Sequence, residues 1–164
     1  MKSNPPPLLV SYDPGLRHSG LSLFTHGTLT HAVLIKSPER SLRGPEAWYQ
    51  MALAVDSELT RLNATPDVFV TEYPQHYFGK TRNAGDLLEL AGVVGAVVGR
   101  CWAAKRVGYL PHQWKGNVPA DVMLERIESR LAGLEKDAIQ KCPKSLRHNI
   151  LDAVGVGLYC LGRL

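Results

Sequence analysis

The sequence predicts an α/β fold, with a mixed five-stranded sheet flanked by helices. Three observations carry this. Three short runs rich in apolar and β-branched residues follow one another near the start, with only tight turns between them. Strand and helix signals then alternate. The last third of the chain is helical in pattern. A length of 164 residues suits one domain, 1–164, and would cramp two.

Each element has its own signature. Residues 8–13 are an apolar run closed by Asp13-Pro14-Gly15, a strand running into a turn. Residues 20–25 and 28–35 read as two strands joined by a hairpin turn at His26-Gly27. A polar connection follows. Trp48, Met51, Ala52, Val55, Leu59 and Leu62 then recur at helical spacing and predict a helix over 46–63. Residues 67–72 are β-branched and form the fourth strand. After an aromatic loop, residues 84–104 predict a long helix, apolar around much of its circumference and so buried in the core or covered by another chain. Residues 106–110 are the fifth strand. Residues 118–134 read as a helix with Pro119 in its first turn, and 145–161 as a last helix with Ser145 as candidate N-cap.

Composition narrows the function classes. Apolar residues make up 45% and charged residues 21%, the balance of a globular chain rather than a disordered one. Cys101, Cys142 and Cys160 are odd in number and contain no CxxC pair, which argues against a disulfide framework or a structural zinc site. A reducing cytoplasm is the simplest home. No apolar run approaches the ~20 residues that span a bilayer, so no membrane is expected as partner. Residues 1–7, with one lysine and three prolines, read as an extended lead-in and not a signal peptide. The net charge of +4 is compatible with a polyanionic partner but does not by itself select one.

The acids are more informative. Asp13 closes the first strand, Glu72 closes the fourth, and Asp152 interrupts the apolar stretch Ile150-Leu151-Asp152-Ala153-Val154 of the last helix. Desolvation makes an unpaired charge costly at such places. Asp13 before Pro-Gly also suits an ordinary turn, and Glu72 an ordinary strand-end charge; Asp152 on an apolar helix face is harder to explain structurally. Taken together, three such carboxylates suit phosphodiester hydrolysis by two divalent ions about 4 Å apart. Hard oxygen ligands favour Mg²⁺, with Mn²⁺ as substitute, over zinc.

The segment Tyr12-Asp13-Pro14-Gly15-Leu16-Arg17-His18-Ser19-Gly20 resembles the strand-one motif of the RuvC Holliday-junction resolvases. Val68-Phe69-Val70-Thr71-Glu72 resembles their strand-four glutamate. Residues 83–95 resemble their long helix, and Tyr109-Leu110-Pro111 with Lys115 resembles their proline and lysine after strand five. Asp152-Ala153-Val154-Gly155 resembles their closing helix. The resemblance spans nearly the whole chain. It implies an RNase H-like nuclease domain that cuts four-way DNA junctions as a Mg²⁺-dependent homodimer, leaving 5′-phosphate ends, in a bacterial cell or a phage-infected host. Asp13, Glu72 and Asp152 would be metal ligands and catalytic residues.

Two departures stand out. The family's fourth metal-site residue, Asp or His, lies three positions before the final aspartate, where this chain has Asn149; His148, one residue earlier, is assigned the role as ligand or proton-transfer group. It also suits a capping or solvent-facing histidine. The loop after Glu72, Tyr73-Pro74-Gln75-His76-Tyr77-Phe78-Gly79-Lys80, is longer than in cellular enzymes and suggests a phage-type member. Tyr77 or Phe78 would stack on an unpaired base, at about 1–3 kcal/mol per base, or else cover the core edge. Arg17, Lys80, Arg82 and Lys115 are the candidate DNA-binding cations, with Lys105, Arg106, Lys141, Lys144 and Arg147 nearby. Rival readings are a broader flap or fork nuclease and a junction-binding module that does not cut. An actin-like ATPase is disfavoured by length and by the lack of a second phosphate-binding glycine loop.

Overall fold

The sheet has the order β3-β2-β1-β4-β5. The computed structural model describes residues 4–39, 41–75, 84–140 and 144–164. Strands β1 (Leu8–Asp13), β2 (His18–Thr25) and β3 (Thr28–Lys36) form an antiparallel meander. Its tight turn is His26-Gly27, both at positive φ (49° and 81°), as a two-residue hairpin of this hand requires. Helix α1 (Gly44–Arg61) leads to β4 (Val68–Glu72), parallel to β1, and α2 (Ala84–Arg100) leads to β5 (Lys105–Tyr109), parallel to β4. The remainder is helical: α3 (Pro111–Trp114), α4 (Ala120–Ser129), α5 (Gly133–Gln140), a 3₁₀ turn (Lys144–Leu146) and α6 (Arg147–Cys160). This is an RNase H-like α/β fold, as expected.

Alternation along the strands sorts the core into two layers. Val10 and Tyr12 of β1 and Phe69 of β4 pack with Met51, Val55 and Val97 beneath α1 and α2. Leu9 of β1 and Val70 of β4 pack on the other face with Ile150, Val154 and Leu158 of α6, joined by Met123 and Ile127 of α4. Because side chains alternate with a period of two, Asp13 shares the face of Leu9, and Glu72 that of Val70. Both acids therefore face α6.

Helix α6 lies unusually close to the sheet. A Cβ built on Gly20 of β2 would stand 2.0 Å from the main-chain oxygen of Asn149, and one built on Gly157 of α6 would stand 2.3 Å from the Phe24 ring of β2 and 2.6 Å from Ser11 Oγ of β1. Only hydrogen fits at either place.

Several expected boundaries shift. The helix expected over 84–104 ends at Arg100, where the Arg106 guanidinium hydrogen-bonds the carbonyl oxygens of Val98, Cys101 and Ala103 and so caps its C-terminus. The helix expected over 118–134 stops at Ser129, with Pro119 just before it, and a separate helix, α5, begins at Gly133 and runs to Gln140, beyond the expected span. The break follows from Glu135. Its buried carboxylate accepts from the main-chain N–H of Leu29 and Ala132 and pairs with Arg163, tying the start of α5 to β3 and the C-terminal segment. Ser145 is not an N-cap: it lies in the 3₁₀ turn, and Leu146 precedes α6 with no side-chain cap. Among the described residues no helix is long and apolar enough to cross a membrane.

Candidate active site

Asp13 and Glu72 are the last residues of neighbouring parallel strands, one step beyond the register pair Tyr12–Thr71. The turn after Asp13 is held by Ser19, a fully buried residue whose Oγ accepts from the Gly15 N–H at 3.0 Å and meets the Tyr12 hydroxyl at 2.9 Å. Asp152 arrives from α6, one helical turn beyond the Asn149 main chain that rests on Gly20. The topology thus brings Asp13, Glu72 and Asp152 towards one end of the sheet.

Lys115 lies among them. Its Nζ is 3.3 Å from Glu72 Oε2 and 3.8 Å from Asp152 Oδ2, and the charge of Asp13 acts on it as well. Burial works against its protonation, but Asp152, Glu72 and Asp13, in that order, outweigh it and hold the ammonium above its ordinary range. Trp114 completes the arrangement. Its Nε1–H donates to Glu72 Oε2 at 2.7 Å, and Lys115 Nζ sits 4.7 Å from its ring centroid.

Burial dominates the carboxylates too. It pushes Glu72 above the usual carboxylate range. Lys115 and the Trp114 hydrogen bond pull it down, Asp152 adds to the rise, and the net shift is upward. Burial likewise raises Asp152 against the opposing charges of Lys115 and His148. His148 is exposed and shares with Asp152 and Lys115 a cleft walled by Val118, Pro119 and Met123, so the structure brings the expected fourth residue to the same edge. Asn149 contributes its main chain to the contact with β2.

Three carboxylates against one ammonium leave these four side chains short of positive charge. Among the described residues no three Asp, Glu, His or Cys side chains alone close around a point that could hold a metal ion; Lys115 stands between the acids. By donor chemistry the cluster nevertheless fits a hard divalent cation, since every acid offers carboxylate oxygen in a partly desolvated pocket of net negative charge.

The other expected DNA-contacting residues divide. Arg17 is exposed in the β1–β2 loop and lines a second cleft of about 500 Å³ with Arg43, Asp86 and Glu89, beside the Asp13 turn. Tyr77, Phe78, Lys80 and Arg82 lie outside the described residues, as does Lys141. Arg106 serves as the α2 cap, and Arg147 pairs with Glu128 at 3.1 Å. Lys105 starts β5, at the sheet end opposite the acids. Trp114 is not among the residues expected from the sequence. A buried indole N–H needs an acceptor, and a tryptophan immediately before the motif lysine was the available signal.

No family model matches the sequence, and no curated protein matches it. Solved structures do. The Thermus thermophilus RuvC structure is 17% identical over 95% of this chain and 97% of that one, with a TM-score of 0.61. T. thermophilus RuvC in complex with a Holliday junction substrate is 14% identical, over 92% and 90%, with a TM-score of 0.56. The yeast mitochondrial Holliday junction resolvase Ydc2 is 8% identical over 94% of this chain and 78% of its own, with a TM-score of 0.67. At these identities the likeness establishes a common fold.

Proposed function

We propose that this chain is a RuvC-like endodeoxyribonuclease that resolves four-way DNA junctions by metal-dependent phosphodiester hydrolysis. The observation that carries the reading is the meeting of Asp13, Glu72 and Asp152 around one shared cation, Lys115, in a fold that aligns over most of its length with a resolvase solved on a junction.

Asp13, Glu72 and Asp152 would hold Mg²⁺ or Mn²⁺, with His148 as a further ligand or as the group that moves a proton at the cleft mouth. Bound there, the cations supply activation of the attacking water and stabilisation of the departing 3′ oxygen. Water adds to phosphorus, the P–O3′ bond breaks, and 5′-phosphate and 3′-hydroxyl ends result. Lys115 supplies positive charge beside the acids, where a backbone phosphate must approach. Arg17 marks the DNA path on the other side of Asp13.

Two symmetric cuts require a twofold dimer. The outer face of α2 supports one: Leu88 is 71% exposed, and Ala91, Gly95 and Gly99 continue a small-residue stripe from it. The rival, a junction-binding module without cleavage, draws on the salt bridges that Lys115 makes with two of the acids. Cleavage assays with Mg²⁺ on four-way junction, fork, flap and linear duplex separate the readings. Preference for the junction supports resolution, equal cutting of forks and flaps supports a broader nuclease, and tight junction binding without scission supports the module.

A further inference from the structure

We propose that Trp114 is the positioning residue of this site: its indole N–H fixes one oxygen of Glu72 while its ring face carries the Lys115 ammonium, so one buried side chain orients both the acid and its counter-cation. The inference rests on the nuclease reading for the identity of the cation that Glu72 serves.

The geometry is specific. Trp114 and Lys115 both address Oε2 of Glu72, at 2.7 Å and 3.3 Å. The indole is 5% exposed, so its N–H has little access to solvent. It is also clamped. An added Cβ on Gly155 would approach the ring to 2.5 Å and Ile127 Cδ1 to 2.8 Å, so α6 leaves out a side chain where the indole sits. Helix α3 holds the other end, with Pro111 at its first turn and the Leu110 N–H donating to Gln113 Oε1 at 2.7 Å. A tryptophan that only filled space would be matched by any ring of similar bulk. Here the donor is aimed at the acid that the end of β4 delivers, and the aromatic face lies beneath the lysine whose charge the three acids share.

Partners that orient a metal-binding carboxylate from behind typically matter by about 10–100-fold in metal affinity. Trp114→Phe keeps the ring and removes the N–H. In full-length protein, Mn²⁺ titration followed by electron paramagnetic resonance of the free ion should show affinity weakened at least about tenfold. A purely space-filling role leaves it unchanged. A second protein, Trp48→Phe with Trp102→Phe, retains Trp114 as its sole tryptophan. Its emission should be quenched by Mn²⁺ at the midpoint seen by resonance, and the quenching should vanish when Glu72→Gln is added. Quenching shows that bound Mn²⁺ lies beside the indole, and its absence overturns the proposal even if Trp114→Phe does not fold. Mn²⁺ affinity in Trp114→Phe within twofold of the parent, or Trp114 emission indifferent to saturating Mn²⁺, overturns the proposal. If the parent binds Mn²⁺ and cuts junctions while Trp114→Phe does so equally well, only this inference falls. If the parent neither binds nor cuts, the nuclease reading falls with it.

Discussion

Replacing Gly20 by alanine tests how the fold delivers the last acid. The added methyl would lie 2.0 Å from the Asn149 oxygen, 2.7 Å from its carbonyl carbon and 2.9 Å from Ala153 Cβ. Two of these three atoms are main chain, so no rotamer change relieves the clash; α6 must move away from β2 by about 1 Å or more. Overpacking of this kind costs about 1–3 kcal/mol. At the upper end this lowers the unfolding midpoint by roughly 6–12 °C for a chain of this size. The functional effect should be larger. Asp152 lies one turn from Asn149 on the same rigid helix, so the shift carries it away from the strand ends that hold Asp13 and Glu72. A misplacement of about 1 Å in a reacting constellation costs on the order of 100-fold in rate. Thermal unfolding and single-turnover junction cleavage with saturating Mg²⁺ measure the two effects side by side. Gly20→Ala protein with an unfolding midpoint within 2 °C of the parent (about 1 kcal/mol or less) and cleavage within about threefold would refute the claim that this contact sets the position of Asp152.

Further expectations follow from the charges. Burial raises Glu72 and Asp152, so each binds protons more tightly folded than unfolded, and ionising them removes stability as pH rises through and above the ordinary carboxylate range. Glu72→Gln and Asp152→Asn should abolish cleavage yet raise the unfolding midpoint at pH 7; a lower midpoint in both variants contradicts this. Lys115→Met leaves the acids without their shared ammonium and should lose about 1–2 kcal/mol in chelator. Mn²⁺ should then restore more of its midpoint than it adds to the parent, and an equal gain in both speaks against Lys115 as counter-cation. Glu135 has the opposite sign. Burial opposes its charge, but Arg163 and the Leu29 and Ala132 N–H groups hold it down to about 2. Its contribution is complete above the ordinary carboxylate pKa and lost as pH falls from about 5 towards 2. With Arg163 29% exposed, solvent screening leaves about 1–2 kcal/mol. Glu135→Gln should flatten that acid limb in urea titrations, and parallel pH profiles would disprove the assignment.

The five strands were legible because each carries a local signature: β-branched runs, an Asp-Pro-Gly stop, a two-residue hairpin turn. The acids were legible because the apolar neighbours of Asp152 make a charge there expensive, and the strand-end positions of Asp13 and Glu72 point to one edge once β1 and β4 are neighbours. What escaped was non-local. Helix α3 has four residues and no period to read. The α4–α5 break depends on Glu135 finding partners 106 and 28 residues away. The spacing of Gly20, Gly155 and Trp114 gives no hint that Gly20 makes room for α6 and that Gly155 of α6 makes room for the indole of Trp114. Lys115 was expected as a DNA-contacting cation, and its place among the acids emerges only once the last helix is packed.

The most direct test of the central claim compares parent and Asp13→Asn protein on a synthetic four-way junction, with a linear duplex of the same sequence alongside, in Mg²⁺. The parent should make paired symmetric nicks in the junction and cut the duplex little, and Asp13→Asn should lose cleavage while junction binding persists. Full cleavage by Asp13→Asn, or no scission by the parent under saturating Mg²⁺, would contradict that claim.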